Sequence, residues 1–339
     1  MSPTAIATNQ SNKKSKYIPY FDFVRGIAIL MVVALHTTTS CNLESTSGII
    51  STIIRQCYLC AVPIFLACSA FFLTSTKLSS IRDCFHFWKK QIPKVYIPAL
   101  IWSIPTYFLS IFCWGGHPLS EFIYCLICGY SIYYFIALIM QLYILLPILK
   151  KYRKAALYIS IPITIISLIY YTKASIINPL PLIYGFGPFN IWLLYFMLGI
   201  SLSYSKREYS LIFPIILIIL GIIAQYAETL YIDNQYDCFR HGTKATTVLY
   251  SSGMILLLFS KKLEMSYKNN YITSIIEFLG KKSFIIYLCH CYFIDIVYRI
   301  HHSNYWSINF LTSIILTILF IIILERFSPK SIHKYIGLK

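Results

Sequence analysis

Runs of about 20 mostly apolar residues recur along nearly the whole chain, each long enough to cross the roughly 30 Å hydrocarbon core of a bilayer as a helix. Lipid offers exposed peptide groups no hydrogen-bonding partner, so such segments are read as α-helices. Ten are predicted, at approximately 20–39, 53–73, 95–114, 132–149, 155–171, 189–204, 209–225, 245–259, 284–300 and 308–324, the eighth being short. The expected class is therefore all-α: a polytopic integral membrane protein of about ten transmembrane helices. Composition agrees, with 58% hydrophobic and only 12% charged residues over 339 positions, against about 25% charged in soluble proteins. Disorder, collagen-like sequence and a disulfide-stapled secreted domain are excluded on the same grounds.

The net charge of +17 would suggest nucleic acid in a soluble protein, but its distribution gives it another meaning. Most Lys and Arg fall in alternate segments between the predicted spans, whereas the opposite segments hold only Lys173, Arg240, Lys244 and Arg299. This is the asymmetry of cytoplasmic against external loops, and it predicts an even number of spans with both termini cytoplasmic and no nucleic-acid partner. The expected organisation is a cytoplasmic tail over 1–19, a membrane domain over 20–325 and a second tail over 326–339. The first apolar stretch carries Asp22 and Arg25 and has no small-residue cleavage site, so it is expected to be retained as a span. The cysteines lie mostly inside apolar runs, where thiols behave as small hydrophobes. Cys57 and Cys60 have C-x-x-C spacing but no second ligand pair, so no metal is expected. The longest external loop, 226–244, offers Glu228, Asp233, Asp237, Arg240 and His241 to an outside acceptor.

Ionisable groups inside spans cost roughly 2.5–3.5 kcal/mol each on insertion scales, so they usually face the bundle interior and do something there. The first span holds three. Asp22 and Arg25 are i, i+3 neighbours able to pair. Arg25 and His36 are 11 residues apart, about three full turns, so they share one face and stand about 16 Å apart along the axis. Arg25 lies toward the cytoplasmic end and His36 toward the outer end. Arg55 in the second span and His290 in the ninth, three residues after Tyr287, add further polar groups.

The run from Phe21 through Asp22, Arg25, Gly26, Ile27 and Ala28 to His36 resembles the opening of the membrane-bound acyltransferase-3 family, whose signature is Arg, ten residues, then His. Val62-Pro63-Ile64-Phe65 through Ser69-Ala70-Phe71 is similar to its V-P-L-F-F-x-x-S-G-F segment, with Ala70 where Gly is usual. Trp88-Lys89-Lys90 through Lys94 and Pro98 resembles a basic stretch in which arginines are usual. Tyr133-Tyr134-Phe135 through Tyr143 and Pro147, Phe196-Met197-Leu198-Gly199, and Leu279-Gly280 through Ser283, Tyr287 and His290 follow the family order. The 15 or so residues after the tenth span leave no room for the SGNH-type esterase domain that some relatives append, so transfer is expected to be completed within the membrane domain.

This resemblance implies an enzyme that moves an acyl group from cytoplasmic acyl-CoA to a hydroxyl of a cell-surface polysaccharide or its lipid-linked precursor. It implies catalytic His36, with Arg25 and Asp22 on the same helix, and places acyl-CoA phosphates on Arg82, Lys89, Lys90 and Lys94. Lysine lacks the bidentate fork of arginine, which makes it the weaker phosphate clamp. Arg55 and Tyr143 are oxyanion candidates, and Ser69, Tyr287 and His290 are cavity-wall candidates. Acyl-CoA is a substrate rather than a bound cofactor, and acetyl is the preferred group. The expected location is a bacterial inner membrane, with membrane lipid as partner and O-antigen, capsule, enterobacterial common antigen or exopolysaccharide as acceptor. The competing reading is a permease or exporter of a glycan or its precursor, although the paired broken helices that mark many transporters are not visible in the sequence.

Overall fold

The computed structural model describes residues 17–38, 46–114, 122–177, 180–236, 242–300 and 305–338. Among these there is no β-strand. The helices are α1 (Pro19–Thr37), α2 (Thr46–Tyr58), α3 (Ala61–Leu73), α4 (Ile81–Trp114), α5 (Phe122–Leu126), α6 (Tyr134–Lys151), α7 (Arg153–Ile177) and α8 (Leu182–Gly185), followed by α9 (Leu193–Ser203), α10 (Ile212–Tyr236), α11 (Thr247–Leu258), α12 (Lys261–Ser266), α13 (Tyr271–Lys281), α14 (Ser283–Ile300), α15 (Trp306–Phe327) and α16 (Lys330–Ile336). Eight stretches are long and apolar enough to cross a membrane, and two shorter apolar helices, α9 and α11, occupy the places of the sixth and eighth expected spans. At about 1.5 Å per residue these two fall short of the hydrocarbon thickness. Lys13, Lys14, Lys16, Asp237, Arg240 and His241 lie outside the described residues.

Local sequence explains where the elements depart from the expected spans. The second span is split into α2 and α3, because Pro63 in the first turn of α3 cannot donate to the carbonyl of Leu59. The third does not begin at 95. Its helix starts at Ile81 and runs for 34 residues through Pro93, Pro98 and Pro105, about 51 Å, so the basic stretch expected as a loop is helical and extends beyond the hydrocarbon. The loop expected at 226–244 also begins later, since α10 continues from 226 to Tyr236 with no Gly or Pro in that stretch to stop it.

The main apolar core gathers Phe21, Val24 and Ala28 of α1 with Ile64 and Leu66 of α3, Leu138 and Leu142 of α6, and Tyr195 and Phe196 of α9. Two close crossings fix α1 and α3 within it. A Cβ on Gly280 of α13 would run into the carbonyl of Asp22, and one on Gly26 into the carbonyl of Ile276. The glycine that follows Arg25 is thus there to let α13 lie directly on α1. Gly199 of α9 meets the backbone of Ala67 of α3 in the same way, while Ala70, which stands where a glycine was expected, is fully buried in the core.

On the far side of the bundle a buried lysine ties the segment before α11 to α2. Lys244 is 1% exposed and its Nζ donates to Gln56 Oε1 at 3.1 Å and to the Gly242 carbonyl at 3.2 Å. Burial pushes its amine down to about 8; the charge of Glu228 opposes this and that of Arg55 adds to it.

Two outcomes follow from this packing. Gly280→Ala forces a methyl into backbone and is expected to cost at the upper end of the about 1–3 kcal/mol typical of overpacking, whereas Gly185→Ala, with nothing within 4 Å of the added Cβ, is expected to be neutral; melting in detergent compares them. For Lys244, the unfolded chain keeps the proton up to 10.5 and the folded chain releases it near 8, so stability gains from this group as pH rises through that window. Lys244→Met is expected to remove that gain, and identical pH slopes for variant and wild type would contradict the assignment.

Candidate active site

Helix α1 carries two polar stations. It begins with Pro19 in its first turn, a position where the missing N–H costs nothing. One turn further, Asp22 is 3% exposed and accepts the Tyr17 hydroxyl at 2.5 Å and Arg25 Nη2 at 2.6 Å. Arg25 Nε also donates to the Phe21 carbonyl at 3.2 Å, and its guanidinium lies 5.8 Å from the centre of the Phe72 ring. A buried carboxylate and a half-buried guanidinium thus satisfy each other at the end of the helix where α13 crosses.

A cavity of about 450 Å³ opens at this station. Arg25, Ser69 and Tyr143 supply polar groups to its wall, and Phe65, Phe135 and Ile139 are among the apolar ones. Trp88 of α4 holds the far wall by donating its indole N–H to the Tyr143 carbonyl at 2.9 Å. Tyr143 and Ser69 therefore stand with Arg25, not with His36.

The second station forms where α1 ends. His36 is exposed although most of its helix is buried, and its ring centre lies 5.3 Å from that of the fully buried His290, with the planes at 52°. His290 Nδ1 is 2.8 Å from the Tyr287 carbonyl and 3.1 Å from the Ile286 carbonyl. Carbonyl oxygens only accept, so Nδ1 carries the hydrogen and the neutral ring keeps Nε2 as its acceptor. That nitrogen is 3.5 Å from Cys291 Sγ.

Arg55 belongs to this station, but it is used in a way that the spacing did not indicate. Its Nη1 donates to the Leu35 carbonyl at 2.5 Å and also to the Thr38 carbonyl. These carbonyls lie on either side of His36 at the end of a helix, where backbone acceptors run short of intrahelical donors. Tyr298 adds a hydroxyl bonded to the Thr37 carbonyl at 2.9 Å.

Aromatic rings connect the two stations. Phe135 of the cavity wall packs edge-on against Tyr287, with centres 5.4 Å apart, and Tyr287 lies 6.3 Å from His290. The Tyr287 hydroxyl is bonded to the Ile132 carbonyl at 2.5 Å, which holds the ring as wall. The basic residues of α4 join neither station. Arg82, Lys89, Lys90 and Lys94 are exposed, and they lie between about 100° and 140° around the helix from Val95, the α4 residue that lines the cavity.

Some participants were not singled out in the sequence. Tyr17 precedes the apolar run and gave no signal beyond its nearness to Asp22. Arg207, at a positive φ of 57°, pairs with Glu264 at 2.7 Å and stacks 5.1 Å from Phe71. In the sequence it reads as an ordinary orienting charge.

Comparison with known proteins gives the family. The family's acyltransferase domain matches residues 18–326. A Bacillus subtilis (strain 168) protein described as "Putative membrane-bound acyltransferase YfiQ" is 27% identical over 303 residues, covering 81% of this chain and 80% of the relative. No solved structure matches. With that domain matched over most of its length, the chain belongs to the acyltransferase-3 family of membrane-bound acyltransferases.

Proposed function

We propose that this protein is an O-acyltransferase of a bacterial inner membrane. It takes an acyl group, most simply acetyl, from cytoplasmic acyl-CoA to a hydroxyl of a cell-surface polysaccharide or its lipid-linked precursor. The observation that carries this reading is the division of α1 into a cavity-lining cation at one end and an accessible imidazole about 16 Å away at the other. An extended thioester arm entering past Arg25 suits that separation, and the asymmetry of basic residues supports a cytoplasmic Arg25 end, with both chain termini on the same side.

In the proposed reaction, a nitrogen of His36 takes the proton of the acceptor hydroxyl while its oxygen attacks the thioester carbonyl carbon. The C–S bond then breaks, and the thiolate recovers that proton from the imidazolium. The ester and free CoA are the products, with no net proton change. His290 and Tyr287 position His36 and wall the path. Arg55 acts by holding the last carbonyls of α1, which fixes the direction of the His36 side chain. The exposed stripe of Arg82, Lys89, Lys90 and Lys94 attracts the polyanionic donor to the cytoplasmic face.

A short neutral acyl group is favoured by how the cations are used. Arg25 is paired with Asp22 and Arg55 with backbone carbonyls, so both are already engaged where a second carboxylate, as in succinyl, would need a counter-charge.

Mass spectrometry of the host's surface glycans tests the proposal. Wild type is expected to add one acetyl increment that disappears on deletion. At equal membrane abundance, His36→Ala is expected to lose at least about 100-fold in transfer, the lower range of general-base contributions. Arg55→Lys, which keeps the charge but not the planar fork, is expected to lose less. Normal acylation by His36→Ala would refute this mechanism.

A further inference from the structure

A second recess, of about 420 Å³, adjoins the Arg25 cavity at its cytoplasmic mouth. Tyr17 and Ile18 line both spaces, so the two meet across these residues. The recess is completed by Tyr267 and Asn269 beyond α12 and by Glu277 and Lys281 of α13, with Pro19, Tyr20 and Glu264 at its edge. None of the basic residues of α4 lines either space.

We infer that this recess receives the nucleotide end of the donor, the phosphorylated purine nucleoside of CoA, while the thioester arm passes Tyr17 into the Arg25 cavity. The inference rests on the donor assignment proposed above. The chemistry of the wall fits such a group. Tyr17 is 60% exposed and offers an open ring face, which any purine can stack on. Its hydroxyl is anchored on Asp22, so the ring is held at the junction of the two spaces. Asn269 brings a carboxamide, and its Oδ1 is oriented by the Ser274 hydroxyl at 2.6 Å.

Lys281 supplies the cation, its Nζ lying 6.0 Å from the centre of the Tyr17 ring, and the exposed Lys268 stands beside Asn269. Two carboxylates also face this region, and both are compensated. Glu264 is paired with Arg207 at 2.7 Å and Lys261 at 2.6 Å. Glu277 accepts the Tyr267 hydroxyl and lies 3.8 Å from Lys281. Lys281 is thus the cation of the lining itself, with Lys268 next to Asn269 in the chain, while Arg207 and Lys261, outside the lining, neutralise Glu264. The stripe on α4 draws the ligand toward the membrane, whereas the pocket beside α13 holds it.

Titration calorimetry of the full-length protein in detergent, with CoA and with pantetheine as separate probes, tests this. Wild type is expected to bind CoA more tightly than pantetheine. Lys281→Gln, on an exposed side chain, is expected to weaken CoA about tenfold, the scale of one charge-assisted contact, and to leave pantetheine unchanged. Tyr17→Ala is expected to weaken CoA as well, and both to weaken it more than Lys90→Gln, whose charge attracts the donor from outside the pocket. If Lys281→Gln and Tyr17→Ala both leave CoA affinity within twofold of wild type, the pocket assignment is overturned, and a loss in Lys90→Gln would then move the nucleotide to α4. If wild type binds neither probe, the donor assignment itself falls and this inference with it.

Discussion

The carbonyl end of α1 finishes within the protein, and the groups that satisfy it set the geometry of everything around His36. A helix leaves its last carbonyls short of intrahelical partners, and here Thr37 and Thr38 are buried, so protein groups must supply the donors. Arg55 answers this with one nitrogen on the carbonyls of Leu35 and Thr38, and Tyr298 takes that of Thr37. A guanidinium in that position costs less than a free charge would, because its hydrogen bonds are made to the groups that most need donors. The imidazole of His36 is thereby held between two anchored carbonyls and against His290.

The opposite end of α1 solves a different problem with similar economy. Asp22 is buried and would be costly alone, but Tyr17 and Arg25 both donate to it. Gly26 and Gly280 bring α13 directly onto this pair. The two ends depend on separate neighbours, α13 at one and α2 with α14 at the other, while the helix between them is rigid. This makes α1 a fixed spacer between the Arg25 cavity and the His36 imidazole, with the Phe135 and Tyr287 rings packed between the two stations.

Much of this was legible in the sequence, because the bilayer imposes long apolar runs and makes charges inside them conspicuous. The spans, the Asp22–Arg25 pair and the shared face of Arg25 and His36 all follow from helical period and hydropathy. The extension of α4 back to Ile81 was hidden because its lysines and Pro93 read as loop. The crossing of α13 on α1 was equally hidden, since a short helix among lysines carries no span signal. The meeting of His36 with His290 joins two distant helices, and no spacing rule reports such a contact. Arg55 was visible as a buried cation, but its carbonyl partners depend on how α2 leans on α1, which is a matter of tertiary packing. Lys244 read as one external charge among four, and only the structure shows that it is buried against Gln56.

The most direct test of the central claim is stoichiometry. Protein reconstituted in vesicles with labelled acetyl-CoA and acceptor-bearing membrane extract should release one CoA thiol for each ester formed on the glycan, and both should vanish together in His36→Ala. Passage of glycan across the vesicle membrane without thioester consumption, unchanged in His36→Ala, would contradict the account and assign the buried charges of α1 to a transport path.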